Sequence, residues 1–180
     1  MNFERQIWFI GKRPAAIFGL PTFTGPGTYL LVYNCKIMKI EIVRVNDSFH
    51  FEGTGSSEIK VHTDGSPEIG GSNQGVRPME LLLMGLASCS AIDVVMILKK
   101  QKQDITDFRI VADGDRVEEE GTKRSPFRKI HLTFKFAGND LDEGKINRAI
   151  SLSMDKYCSA TAQMEALAEI THSVEIATAS

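Results

Sequence analysis

Residues 85–95 read GLASCSAIDVV, and they set Cys89 and Asp93 four positions apart inside an apolar run. Four positions is one turn of a helix, so thiol and carboxylate share a face. Pro78 suits the first turn, and the pattern predicts a helix running from there to about Lys102. Its stretch LLLMGLASCSAIDVVMIL is nearly all apolar and about long enough to span a bilayer. A carboxylate at Asp93 is costly in lipid, however, and the flanking chain reads as amphipathic sheet. A helix apolar all round in a soluble protein is buried on every side. Such a helix in a small domain needs covering by a sheet and by a second subunit. Gly85, Ala87, Ser88, Ser90 and Ala91 carry little bulk, so another backbone can approach closely around Cys89. An obligate homodimer with Cys89 near its interface is expected.

The chain has 180 residues, enough for one domain with a real core, or one domain with an extension. Its 21 basic and 23 acidic residues leave a net charge of -2. That balance gives no reason to expect nucleic acid or an anionic membrane as partner. Three cysteines, Cys35, Cys89 and Cys158, are too few and too scattered for a secreted disulfide scaffold. A reducing, cytoplasmic location is expected, where a cysteine pair is catalytic, redox-active or simply buried.

The first thirty-seven residues differ from the rest. Phe3, Trp8, Phe9, Phe18, Phe23, Tyr29 and Tyr33 are half of the aromatic residues, and Pro14, Pro21 and Pro26 half of the prolines. This piece is net positive by three, and the remainder net negative by five. Lys12, Arg13 and Pro14 interrupt the apolar run that would serve as a signal-peptide core. At Met38 the pattern changes to KIEIVRVND, an alternating strand with a turn behind it. The domain is expected to span 38–180, with 1–37 a dispensable extension or an over-called translation start.

From Met38 onward, 38–45, 48–52 and 58–63 read as short strands, followed by a polar loop over 68–75. After the long helix come strands at 107–117 and 128–137, the latter, RKIHLTFKFA, with period-two alternation. A helix at 141–156, a second at about 159–169 and a last strand over THSVEIA complete the order βββ-α-ββ-αα-β. The fold class is α+β.

Cys158, in MDKYCSATAQM, falls at the start of the last helix, where backbone N–H groups and the macrodipole favour thiolate. A buried Cys89 is expected to have its thiol pushed up, and an unpaired Asp93 worsens this by like-charge repulsion. Each residue alone also has a purely structural explanation, since free cysteine is among the most buried residue types.

The segment RPMELLLMGLASCSAIDVV, with a downstream KYCSA and a late THSVEI strand, resembles the OsmC/Ohr family, in particular its YhfA-like branch. The resemblance covers about residues 38–180 and rests on element order, cysteine placement and the small-residue helix together. It implies a domain-swapped α/β dimer with the cysteine helix buried between sheets. It also implies a thiol peroxidase that reduces small organic hydroperoxides. By position Cys89 would be the peroxidatic thiol, oxidised to a sulfenic acid, and Cys158 the resolving thiol that condenses with it to a disulfide. A thiol reductant, such as a lipoyl dithiol, would restore the pair, with no cofactor and no metal.

This sequence departs from the family pattern at two activating positions. The glutamate that follows the helix-opening proline is replaced by Met79, and Glu80 comes one residue later, about 100° around the helix. The family arginine has no counterpart in NDSFHFEG, and Arg44 lies on the strand before it. Arg77 at the helix entrance is the candidate replacement, oriented by Asp93 or Glu80. His50, His62, His131 and His172 offer no zinc spacing, and nothing brings His131 or His172 near Cys89 for a Cys-His hydrolase. The loop at 70–75 lacks the lysine and spacing of a phosphate cradle and reads as a flexible loop bordering an entrance. Two functions follow: the thiol peroxidase, or a non-catalytic dimer of the same fold that binds a small hydrophobic molecule or senses thiol state.

Overall fold

The structure, a computed structural model, describes residues 37–178; the expectation of a dispensable segment at 1–37 therefore lies almost wholly outside the described residues, as does Cys35. Strands β1 (Glu41–Arg44), β2 (Phe51–Thr54) and β3 (Val61–Thr63) form an antiparallel sheet in that order. Helix α1 (Pro78–Lys100) leads into β4 (Asp104–Arg116) and β5 (Phe127–Asn139), a long antiparallel pair. Helix α2 (Glu143–Leu152), one π-helical turn at Ser153–Tyr157 and helix α3 (Ser159–Met164) then cross back to β6 (Glu169–Thr178). That crossover lets β6 pair parallel to β5, giving a second sheet of order β4-β5-β6. The α+β class and the order of elements follow the sequence expectation.

Strand β5 carries the core. Its period-two alternation turns Ile130, Leu132, Phe134 and Phe136 inward and Lys129, His131, Thr133 and Lys135 outward, and a register shift at the start of the strand brings Phe127 inward too, each inward residue at most 6 % exposed. Each inward side chain contributes about 1.5–3 kcal/mol by burial. Against them pack Leu86, Val94 and Leu98 of α1 and Ile146, Ala149 and Ile150 of α2. A Phe134→Ala change removes the most central ring and costs about 3–5 kcal/mol.

Helix α1 is not buried on every side within one chain. Leu86, Ser90, Val94 and Leu98, spaced by four, form its buried stripe. Leu82, Met84, Ile92 and Met96 on the remaining surface are about half exposed or more. The single chain has one sheet and two short helices to lay against α1, and they reach one side of it. The first sheet is similarly uncovered. Every residue of β1 is exposed, Ile42 and Val43 included, as are Ile40 and Val45 at its ends, and the sheet has no extensive packing on the second layer.

Strand and helix ends fall elsewhere than expected for local reasons. The strands expected at 38–45 and 48–52 shorten because Asn46 Oδ1 accepts from the amides of Ser48 (2.9 Å) and His50 (3.3 Å), folding 45–50 into a side-chain-capped turn. Arg44 closes the same turn, its Nε donating to Ser48 O at 3.0 Å. Helix α1 stops at Lys100 because Lys102 takes a left-handed backbone conformation (φ 56°). The helix expected at 141–156 begins instead after Asp142, whose carboxylate accepts from Lys145 N, and gives way at Ser153 to the π-helical turn.

Candidate active site

Asp93 and Cys89 project from α1 toward the junction of α2, the π-helical turn and α3, and Cys158 is the N-cap of α3. The π-helical turn widens the helical path by one residue, and such turns concentrate at functional sites. Cys158 N donates to Ser153 O at 2.8 Å, which closes that turn and sets the cysteine against α1. Both thiols are free, Cys158 buried and Cys89 half-buried, and they lie close enough that each shifts the other's ionisation.

Small polar groups surround the sulfurs. Ser90 Oγ lies 3.3 Å from Cys158 Sγ and 3.6 Å from Met154 Sδ. Thr161 N donates to Cys158 Sγ at 3.4 Å. Ser153 Oγ lies 3.4 Å from Ser90 O and 3.3 Å from Asp93 Oδ2, so its single proton serves one or the other. Burial opposes charge on Cys158, yet the donors from Ser90 and Thr161 outweigh it and hold that thiol below its ordinary range. Burial also pushes the Cys89 thiol up; the Ala160 amide opposes this, while Cys158 and the Asp93 carboxylate add to it.

The candidate activators at the helix entrance lie elsewhere. Glu80 Oε2 accepts from Arg77 N at 2.9 Å, which satisfies an orphan amide of the first turn. The Arg77 guanidinium donates to Asp64 O at 3.1 Å and to Asn73 Oδ1. Nine residues of helix put Glu80 about 13 Å along the axis from Cys89. Arg77 and Glu80 thus cap α1 and brace the preceding loop, and within one chain they do not reach the thiols. Arg44 is equally occupied by its turn. Met79, where the resemblance expects glutamate, packs against the core.

Residue Asp64 gave no signal in the sequence and turns out to organise the entrance. It is 2 % exposed, and its carboxylate accepts from the amides of Gly65 (2.7 Å), Ser72 (3.0 Å) and Gln74 (3.1 Å). The loop expected to be flexible is tied down by these bonds. The Gln74 amide foremost holds the carboxyl below its usual range. Gly75 lets the loop lie against β3, since a Cβ there would sit 2.6 Å from the His62 carbonyl.

The histidines serve other ends. His50 Nε2 and His62 Nδ1 pair at 2.9 Å within the first sheet. His131 stands on the outer face of β5, between the hydroxyls of Thr171 (2.8 Å) and Ser173 (2.9 Å), on the side of the sheet away from the core. His172 sets its ring edge-on to Phe134 and lines a cleft of about 380 Å³ with Met154, Thr161 and Glu165. Among the described residues, no group of three or more His, Cys, Asp or Glu side chains is placed to hold a metal.

A two-sheet α+β chain with a cysteine on its long helix and a second at the cap of a late helix matches a known family model. Residues 71–173 match the OsmC-like protein family. The chain belongs to that family. Protein YhfA of Escherichia coli (strain K12) is 37 % identical over 129 residues, 72 % of this chain and 91 % of that protein. A hypothetical protein from Aquifex aeolicus VF5 superposes with a TM-score of 0.68 at 26 % identity, over 81 % of this chain and all of the other. An organic hydroperoxide resistance protein from Elizabethkingia anophelis shares the fold at a TM-score of 0.61, with 12 % identity over 79 % of this chain and 98 % of its own. Fold and family are thereby established for this chain.

Proposed function

We propose that this OsmC-like protein is a thiol-dependent peroxidase that reduces small organic hydroperoxides by cycling Cys89 and Cys158 between dithiol and disulfide. The observation that carries this reading is the proximity of the two thiols, close enough for each to shift the other's ionisation, although they come from elements nearly seventy residues apart in sequence. Two free thiols so close need little movement to form a disulfide. A dithiol reductant, a lipoyl group or one of similar chemistry, completes the cycle.

The working unit in this reading is a domain-swapped homodimer in the cytoplasm. The uncovered β1–β3 sheet and the exposed apolar surface of α1 support it, because three strands of four, four and three residues have no independent stability. A second chain supplies what each element lacks.

The test is steady-state consumption of cumene hydroperoxide with dihydrolipoamide as reductant. Activity that is lost in both Cys89→Ser and Cys158→Ser supports the dithiol cycle. Wild-type consumption no faster than that of free cysteine would contradict it. The engagement of Arg77 and Glu80 away from the thiols favours the second reading, a non-catalytic member that binds a small hydrophobic molecule or senses thiol state. The second result would select it.

A further inference from the structure

Two buried hydroxyls beside the thiols are turned toward a thioether. Ser90 is the polar break in the buried stripe of α1, between Leu86 and Val94, and it is fully buried. Its Oγ lies 3.6 Å from Met154 Sδ, and Oγ1 of Thr161, a residue only 3 % exposed, lies 3.8 Å from the same sulfur. A thioether is a weak acceptor, and a buried hydroxyl is costly unless it is well paired. Two donors on one thioether match the sulfur poorly as it stands. They match its sulfoxide well, because oxidation makes the side chain polar. Met154 belongs to the π-helical turn, which sets its sulfur between α1 and α3, the sources of the two hydroxyls. The side chain is half-buried and lines the cleft of about 380 Å³ shared with Thr161, Glu165 and His172, so a small peroxide can approach it.

We propose that Met154 is an oxidation site, a thioether that takes one oxygen atom from a small hydroperoxide and whose sulfoxide is held by the hydroxyls of Ser90 and Thr161. Met154 Sδ attacks the outer oxygen of the peroxide; the S–O bond forms and the O–O bond breaks. The sulfur is oxidised by two electrons. The departing oxygen takes the proton of the transferred one and leaves as water or an alcohol. Both hydroxyls stand where negative charge develops on the transferred oxygen. Ser90 Oγ also lies 3.3 Å from Cys158 Sγ, so the sulfoxide competes with that thiol for a single proton. Oxygen transfer to Met154 is thereby felt at the thiol pair, and thiol-dependent reductases reverse such a change. These steps do not draw on turnover by the cysteines.

The experiment treats the full-length protein with excess hydrogen peroxide and follows sulfoxide by timed quenching and peptide mapping, with Met38 as the internal reference. Met38 is 91 % exposed, so exposure alone would have it oxidised well ahead of the half-buried Met154. Met154 should instead be oxidised at least as fast. Thr161→Val and Ser90→Ala should each lower the ratio of Met154 to Met38 oxidation about fivefold, the worth of one neutral hydrogen bond. Thr161→Ser keeps the hydroxyl and should keep the wild-type ratio. Met154 trailing Met38, or a ratio that neither variant lowers, would overturn the proposal; a raised ratio is the mark of a merely loosened cleft. If one variant does not fold, the other and the wild-type comparison decide. A protein without peroxidase turnover would still oxidise Met154, so failure of that reading and failure of this one are separate results.

Discussion

At the scale of residues, the site turns on where single protons sit. Burial chiefly raises the Cys89 thiol and Asp93 adds to this across one helical turn, so Asp93→Asn should lower it and speed alkylation of Cys89 at pH 7. Asparagine still accepts from Ser153, which leaves the bond to the π-helical turn in place. Peptide mapping after timed alkylation checks this; an unchanged Cys89 rate would remove Asp93 from the account. The proximity of Cys89 and Asp93 was legible in the sequence, because a spacing of four on a helix fixes it. The contact of Cys89 with Cys158 was not readable from spacing and came through the family resemblance. The partners of Arg77 and Glu80 were also hidden. Both serve the backbone at a helix N-terminus, and a sequence does not say whether a charged side chain turns toward a cap or along the helix.

At the scale of elements, the strongest unread feature is the loop before α1. Its glycines suggested freedom, but three amides close on one buried carboxylate. Asp64→Ala should therefore release the loop, read as hydrogen exchange at Ser72 and Gln74 faster by an order of magnitude or more, with α1 amides unaffected. Protected amides at both positions in the variant would show that something else holds the loop. The same bonds give a pH dependence. The Asp64 carboxyl is lowered in the folded state, so its contribution is fully present above the unfolded value of about 3.9. It is lost as pH falls below that value through the folded one. Element types were read correctly where periodicity was long, as in β5 and α1. Ends were misread where a side chain competes with the ladder, as Asn46 does between β1 and β2.

At the scale of the whole molecule, the described chain leaves its most apolar helix and an entire sheet partly uncovered. The expectation that α1 is buried on every side exceeds what one chain supplies, and the proposed homodimer would resolve the difference. Ile92→Asp places a charge on the exposed face of α1, where Ile92 is 63 % exposed, and should shift the protein toward monomer in light scattering. Ile42→Asp in β1 should do the same, and a dimer that survives both changes would place the interface elsewhere. The period of the sequence revealed that α1 is apolar all round, but it did not say which chain covers each side.

The central claim is that Cys89 and Cys158 form one redox couple. Its most direct measurement is the intact mass and peptide map of reduced protein after one equivalent of cumene hydroperoxide, with hydrogen peroxide in parallel. The account predicts rapid loss of two hydrogens and a peptide linking Cys89 to Cys158, formed faster with the organic peroxide. Thiols left untouched, or oxidised no faster than free cysteine, would contradict it.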